Sequence, residues 1–588
     1  MPELFSSRQG STRLEKRDKW AVLLLTLVYT VFTLLNLGTL SFPQSVWTAE
    51  AGESVTLDLG ETRTVSKLIF NGNIAEGRLL VAADDGGTYE YSQVYGEMFS
   101  WREKNVSFST RYLYLTVLSG TVSLNELALR DTDGMLLPVT ISEGDAASLF
   151  DEQDTVPEKP SCLNGMYFDE IYHARTAYEF LHGMNVYEWT HPPLGKAIIA
   201  LGVTIFGMCP FGWRVMPALF GAMMLPLMYL LGKRLLRRSD LAFLGAALFA
   251  LDTMHFAQTR IATVDVFIVF FILLMAVFMT DYLQTDFVRT PLRKQLIPLG
   301  ACGLSFGFGV ASKWTGLYAG VGLALLFFGH LISAGVKINS DDKEKRLYWS
   351  RFWKTILFCC LFFVAIPAII YYLSYIPFYR YEASRSAGDY GFRESVHTLL
   401  IQQQSMFSYH SNLTATHLCQ SSWFQWPFME RSVWFYSGHD ALTDRFSEII
   451  TIGSPAVCWI SAVGMLALIT ESVFGGWEKY TGERKRSIVI LLVFAAANLL
   501  PWVTVPRCTF AYHFFPTLPF MLLSAVLLID HLEADGTLSR KLKWAWLALA
   551  AVYFLLMYPG ISGLPMSRSY AYFLEHILPG GYLFYGTV

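Results

Sequence analysis

The dominant pattern along the chain is a series of long apolar runs separated by short charged clusters. The first, Trp20 to Leu40, has 21 residues without a charge, enough to cross a hydrocarbon core of about 30 Å at 1.5 Å per residue. Further runs lie near 212–231, 240–254, 263–282, 296–311, 315–334, 355–376, 448–471, 487–504, 514–532 and 544–561. Together they predict about eleven transmembrane helices. Arg8, Arg13, Lys16, Arg17 and Lys19 precede the first run and no small-residue cleavage site follows it, so it reads as a retained anchor.

Charge placement orients these spans. With the N-terminus cytoplasmic, segments 1–19, 232–239, 283–294, 335–354, 472–486 and 532–543 face the cytoplasm and hold 25 of the 45 Lys and Arg residues in 86 positions. Shifting the register by one span would put these clusters outside, against the positive-inside rule. An integral multi-pass plasma-membrane protein with its N-terminus inside follows. The outer side then carries two long segments, 41–211 and 377–447, and shorter ones near 255–262, 312–314 and 505–513; connections this long usually carry function.

The first outer segment changes periodicity. Val55, Leu57 and Leu59 alternate with polar neighbours, as do Leu113, Leu115 and Val117, then Leu127 and Leu129. With turn signals at Asp85-Gly86-Gly87 and Asn71-Gly72-Asn73, this predicts a small antiparallel β-sandwich over 45–140. Its phrases at 55–60 and 111–117 resemble discoidin-type jelly rolls; a spacer or assembly module is the leading reading. Residues 141–165 hold Glu143, Asp145, Asp151, Glu152, Asp154 and Glu158, an expected solvated linker. From Tyr167 helical spacing returns: Ile171, Ala174, Tyr178 and Leu181 share a face, predicting an amphipathic helix at the outer membrane surface. Residues 197–208 are apolar but too short to span. The chain thus divides into 1–44 (N-terminus and first span), 45–140 (β insert), 141–165 (linker) and 166–588 (membrane domain).

Composition agrees with lipid as solvent. Of 588 residues 53% are hydrophobic and only 16% charged, with a mean hydropathy of +0.37; soluble chains carry about 25% charged residues. A soluble enzyme is excluded. A net charge of −3 offers no electrostatic footprint for nucleic acid, and eight cysteines make no disulfide framework.

Chemistry concentrates in the outer segments. Asp169 and Glu170 are adjacent carboxylates at the start of a helix, where the dipole alone favours them. His191-Pro192-Pro193-Leu194-Gly195-Lys196 follows some twenty residues on. PheAspGlu at 168–170, HisProProLeuGlyLys at 191–196 and ProPheGlyTrpArg at 210–214 resemble the protein O-mannosyltransferases, integral-membrane glycosyltransferases of the GT-C class that use a polyprenyl-phosphate sugar. The resemblance continues in GlnThrArgIleAlaThrValAsp at 258–265, AlaSerLysTrpThrGlyLeuTyr at 311–318, TyrHisSerAsnLeuThrAlaThrHis at 409–417, TrpPheGlnTrpPro at 423–427, ArgSerValTrpPheTyr at 431–436 and ProArgCysThrPheAlaTyrHisPhePhePro at 506–516. It covers about 160–530. Two departures stand out: the β insert is additional to the usual plan, and 377–447 is too short for the sugar-binding MIR domain of fungal and animal members. Both suggest a bacterial-type member.

The resemblance implies a GT-C fold and transfer of mannose from polyprenyl-phosphate mannose to Ser or Thr hydroxyls of exported proteins, with the secretion machinery as a candidate partner. A different sugar, or a cell-wall polymer or glycolipid acceptor, is the alternative; a transporter or sensor with a β domain is a remote one. In the family the Asp of the Asp-Glu motif is taken as the base that deprotonates the acceptor, which maps to Asp169. One carboxylate and one displacement imply inversion, unlike retaining glycosidases. Glu170 either orients the acceptor or the neighbours of Asp169, or caps the helix. The departing phosphate needs positive charge; Arg260 and Arg507 are favoured because guanidinium is forked and permanently charged, followed by Lys313, with His191 and Asp265 in the same set. A pair between Arg260 and Asp265 is the competing reading, and Lys196 is expected to snorkel. Tyr409, His410, Trp423, Trp426, Arg431, Tyr512 and His513 are expected to contact acceptor or shape the loops. The histidine spacings match no standard metal-ligand set, so a divalent metal is not favoured and no cofactor beyond the lipid-linked sugar is implied.

Overall fold

A computed structural model of the chain describes residues 12–94, 96–338, 342–440 and 443–577; Arg8 of the N-terminal basic cluster lies outside them. The chain forms two compact units, one of Met1–Leu35, Glu179–Ile198 and Met216–Val588, the other of Asn36–Tyr178 and Ile199–Val215.

Each of the eleven apolar runs contains a helix, though the run at 448–471 starts in a strand and not all are long, apolar spans. Eight qualify by length and composition: Pro210–Leu236, Asp265–Leu283, Leu292–Ser312, Gly316–Val336, Asp342–Ser374, Pro455–Phe474, Gly482–Thr504 and Leu542–Ser562. A ninth is a pair, Ser239–Ala250 and Thr253–Thr259, bent by 62°. The other two fall short: Lys16–Leu34 carries charges through its first turn and Leu518–Ala534 has 17 residues. Among the described residues, length and composition alone therefore support eight or nine spans. The bend has a local cause. Asp252 accepts hydrogen bonds from the backbone N–H of Met254 (3.0 Å) and His255 (3.1 Å), an N-cap that starts a second helix. Most of Asp265–Leu283 is buried, as expected of a helix that is apolar on every side.

In the second unit the alternating segments form a six-stranded sheet: β1 Trp47–Glu50, β2 Ser54–Gly72, β3 Gly77–Ala83, β4 Thr88–Gln93, β5 Trp101–Arg130 and β6 Thr140–Glu143, with order β4-β3-β5-β2-β6 and β1 also on β5. Within the long β5, Gly120 has a φ of +68°, which suits glycine. Both arms of β5 flank β2: Phe70 lies opposite Arg102 and Leu127, Asn71 opposite Trp101 and Glu126. The alternating Leu57, Leu113, Leu115, Leu127 and Leu129 are all core residues. Residues 141–165 are not a solvated tether. Ala146 and Leu149 belong to this core, Trp47 Nε1 donates to the Asp145 carbonyl at 2.9 Å, and Glu152 accepts from the N–H groups of Gln44 and Ser45 at 2.6 and 2.8 Å. Asp151 accepts from the Ser45 hydroxyl at 2.7 Å, while Glu143, Asp145, Asp154 and Glu158 are exposed.

A smaller sheet in the other unit orders β7 Val433–Asp440, β8 Arg445–Thr451 and β9 Pro565–Ser567. All eight cysteines are free.

Candidate active site

The helix Glu170–His182 begins where the periodicity predicts, but burial is not confined to the expected face, where Ala174 is buried and Ile171 and Tyr178 are half-buried. His173, Arg175 and Glu179 are buried while Leu181 is 46% exposed. Asp169 directly precedes the helix; its carbonyl accepts from the N–H groups of Tyr172 and His173, both at 3.0 Å, and its side chain is half-buried. Phe168 before it sits at φ +50°, a left-handed conformation that bulky side chains rarely adopt and that clusters at functional sites.

Glu170 has a different role from its neighbour. It is fully buried, and so is Arg214. The guanidinium grips it in a fork, Nε to Oε1 and Nη2 to Oε2, both at 2.7 Å. Trp213 Nε1 adds a bond to Oε2 at 3.2 Å. The remaining Arg214 donors go to the carbonyls of Leu37 (2.9 Å), Cys162 (2.7 Å) and Gly165 (2.7 Å). One side chain thus ties residues 162–170 to the start of the Pro210–Leu236 helix. Of the alternatives for Glu170, holding the Asp169 segment is the one its contacts match.

In the first unit, His191–Lys196 forms a second locked loop. Lys196 does not snorkel: it is fully buried, its Nζ bonded to the Glu188 carboxylate, the Glu188 carbonyl (2.6 Å) and the His191 carbonyl (2.9 Å). Glu188 also accepts from Thr190 N–H at 2.9 Å and pairs with His191 Nδ1 at 3.1 Å. Gly195 is required here, since a Cβ would stand 2.8 Å from Val264 Cγ1. His410 Nε2 donates to the Thr190 carbonyl at 2.8 Å, and its ring meets His191 edge to face at 5.7 Å. Trp189 and Tyr409 pack edge to face at 5.7 Å on the rim of an open depression of about 770 Å³ that also includes Ser405, Ser408 and Asn412.

Two cations, Lys313 and Arg507, act on the imidazoles around this loop. Lys313 pairs with Asp265 at 2.7 Å, so Asp265 serves Lys313 and not Arg260. Arg507 is half-buried. Their fields register on three imidazoles. Burial holds His191 below its ordinary value, with Lys313 adding to the effect. Burial with His191, Arg507 and Lys313 pushes His410 down to about 4. Burial, Lys313 and Arg507 push His513 well below its ordinary range. The imidazoles are therefore neutral near pH 7, and the positive charge resides on Lys313 and Arg507.

The other expected residues separate by environment. Arg260 is buried, and its Nη1 donates to the carbonyls of Thr33 (2.6 Å) and Leu35 (2.7 Å), closing the C-terminal end of the Lys16–Leu34 helix. Trp426 is buried and stacks on His513 at 5.9 Å, which is core packing and not a surface for sugar. Arg431 Nη1 holds the Leu418 carbonyl at 3.1 Å, shaping the loop. Trp423 and Tyr512 are half-buried, and Tyr512 stacks on Phe510 at 5.4 Å. Among the described residues, the group with metal-ligating atoms within 4.8 Å of one another is Glu126, Asp151 and Glu152, in the β unit and outside every motif. Sequence reasoning missed Arg214 and Glu188 as holders of the two loops. The signal was present in Trp213-Arg214, a cation just inside an apolar run, which implies a buried partner.

Residues 207–379 match the family described as dolichyl-phosphate-mannose-protein mannosyltransferase, and 396–575 match the C-terminal four-transmembrane region of protein-O-mannosyltransferase. Together these take in more than half of the chain. A polyprenol-phosphate-mannose–protein mannosyltransferase of Mycobacterium tuberculosis is 27% identical over 453 residues, 68% of this chain and 84% of that protein. Its counterpart in Corynebacterium glutamicum is 26% identical over 384 residues, 59% and 72% of the two chains. The fold is similar to that in the Saccharomyces cerevisiae protein O-mannosyltransferase Pmt1-Pmt2 complex bound to the sugar donor, with a TM-score of 0.59, 14% identity and coverage of 71% of this chain and 89% of that one. The chain belongs to the protein O-mannosyltransferase family.

Proposed function

We propose that this protein transfers mannose from a polyprenyl-phosphate-mannose donor to Ser or Thr hydroxyls of exported proteins, with inversion at the anomeric carbon. Asp169 takes the proton of the acceptor hydroxyl as its oxygen attacks C1, and the C1–phosphate oxygen bond breaks. Proton transfer of this kind contributes about 10²–10⁴-fold. Lys313 and Arg507 balance the charge that gathers on the departing phosphate. Arg260 acts in positioning, through the end of the first helix. The depression rimmed by Trp189 and Tyr409 takes the acceptor polypeptide. Counting the bent pair and the shorter Lys16–Leu34 and Leu518–Ala534 helices with the eight long apolar ones, the chain crosses the membrane eleven times in a GT-C arrangement, N-terminus in the cytoplasm, with the β module (45–140) and these residues on the outer side.

The observation that carries this reading is the division of labour at the Asp-Glu pair. Glu170 is neutralised in a buried fork with Arg214, and Asp169 keeps a half-buried carboxylate at a helix start. The test is incubation of purified protein with radiolabelled polyprenyl-phosphate mannose and a Ser/Thr-rich peptide, followed by assignment of the product's anomeric configuration. Label on peptide hydroxyls, with configuration opposite to the donor's, is expected. Label only on glycolipid or polymer would reject the protein acceptor; retained configuration would reject the single displacement.

A further inference from the structure

We propose that the protein binds one anionic phospholipid at the ends of the Gly316–Val336 and Gly482–Leu499 helices that lie away from Lys313 and Arg507. Lys313 precedes the first of these helices and Lys337 follows it, and the 21-residue helix between them is about 31 Å long at 1.5 Å per residue. Arg486 lies in the second turn of the other helix, whose far end leads to Arg507.

A cavity of about 800 Å³ opens at this remote end, lined among others by Arg289, Lys337, Lys485 and Arg486, with Asp286 and Glu344 as its carboxylates. Neighbouring basic residues are paired: Arg234 with Asp281, Arg484 with Asp530, Lys543 with Glu533. The cavity differs. Lys485 has Glu478 at 3.2 Å, and the Asp286 carboxylate caps the N–H groups of Val288 and Arg289 at 2.9 and 2.8 Å. The side chains of Arg289, Lys337 and Arg486 have no hydrogen bond or ion pair among the described residues. With Lys485 paired to Glu478, the three remaining cations against two carboxylates leave room for an anion, and the half-buried Arg486 guanidinium is suited to grip a phosphodiester with its fork.

The wall of the cavity points to a lipid and not to a free anion. Leu325, Val489 and Val493 line it and also line a second, apolar cavity of about 660 Å³ that continues to Leu500 and Pro501. From Arg486 to Leu500 this furrow runs about 21 Å along the helix, more than one leaflet's half of the roughly 30 Å hydrocarbon core. Leu325 and Leu500 are more than half exposed, so an acyl chain reaches the furrow sideways from the bilayer. Basic residues at a membrane surface contribute about 1 kcal/mol each toward anionic lipid.

The test is native mass spectrometry and thermal unfolding of the full chain in neutral detergent. Phosphatidylglycerol, phosphatidylcholine and inorganic phosphate are added separately. Phosphatidylglycerol is expected to stay bound one to one and raise Tm, and phosphatidylcholine to do neither. Arg486→Gln and Lys337→Gln should each weaken retention about fivefold with the lipid-free Tm unchanged. Val493→Trp, which fills the furrow, should weaken it as well. Equal retention of phosphatidylcholine, undiminished phosphatidylglycerol binding by both charge variants, or a Tm rise with inorganic phosphate matching that with lipid would overturn the proposal. None of these readouts depends on mannosyl transfer.

Discussion

Arg214→Lys keeps the positive charge and removes the fork, which isolates what the geometry contributes. Arg214 donates five hydrogen bonds, two to the Glu170 carboxylate and three to the carbonyls of Leu37, Cys162 and Gly165. A lysine has three donors on a narrower head, so at least two of these bonds are lost. Bonds to charged groups contribute about 1.5–3 kcal/mol each, giving a loss of roughly 3–6 kcal/mol, overlapping the roughly 3–5 kcal/mol seen when a buried pair is broken. Against a total of about 5–15 kcal/mol that is a large fraction, readable as a lower Tm in detergent. The same bonds fix residues 162–170, so Asp169 shifts with them. A displacement of about 1 Å at a reacting group costs on the order of 10²-fold in rate. Steady-state transfer should therefore show a fall in kcat greater than any rise in donor KM. Glu170→Gln should act in the same direction, and the Glu170→Gln, Arg214→Met double variant should lose less stability than the two single losses combined. Wild-type Tm and kcat in Arg214→Lys would refute the reasoning.

Burial raises the Glu126 carboxyl to about 8. The folded protein then keeps a proton that the unfolded chain releases between about pH 4.5 and 8, so this group's stabilisation is lost as pH rises through that window. Glu126→Gln should be more stabilising near pH 8 than near pH 5 by on the order of 3–4 kcal/mol, measured by unfolding across pH. Phe168 sits at φ +50°, so Phe168→Gly should be more stable than Phe168→Ala by about 1 kcal/mol in the same assay. Arg507→Gln should raise donor KM about tenfold, a loss near 1.4 kcal/mol. Because His191, His410 and His513 are held neutral, wild-type donor KM should stay flat between about pH 6 and 8; a steep rise across that range would show that an imidazolium binds phosphate.

Much of the fold was legible because hydropathy is a local property. Each apolar run contains a helix, and the alternation at Leu57, Leu113 and Leu127 gave buried strand positions. The kinked Ser239–Thr259 segment was readable in principle, since Asp252-Thr253 is an N-cap signal inside an apolar run. What escaped depends on partners distant in sequence. Nothing local to Arg214 names Glu170, 44 residues away, and nothing local to Lys196 distinguishes snorkelling from a clamp on Glu188. The same holds for the Glu170–His182 helix: its polar side chains are buried because tertiary partners are present, such as the Tyr187 N–H on Glu179 at 2.9 Å, and a helical wheel carries no trace of them. Trp426 was expected at the acceptor or in shaping a loop, and its burial and stack on His513 make it core.

The central claim, that Asp169 is the base of mannosyl transfer to a hydroxyl, is tested most directly by single-turnover transfer to a Ser/Thr-rich peptide by wild type and Asp169→Asn at matched donor saturation. A drop of at least about 10²-fold in the chemical step, with donor binding and Tm preserved, is predicted. Transfer by Asp169→Asn at the wild-type rate would contradict it.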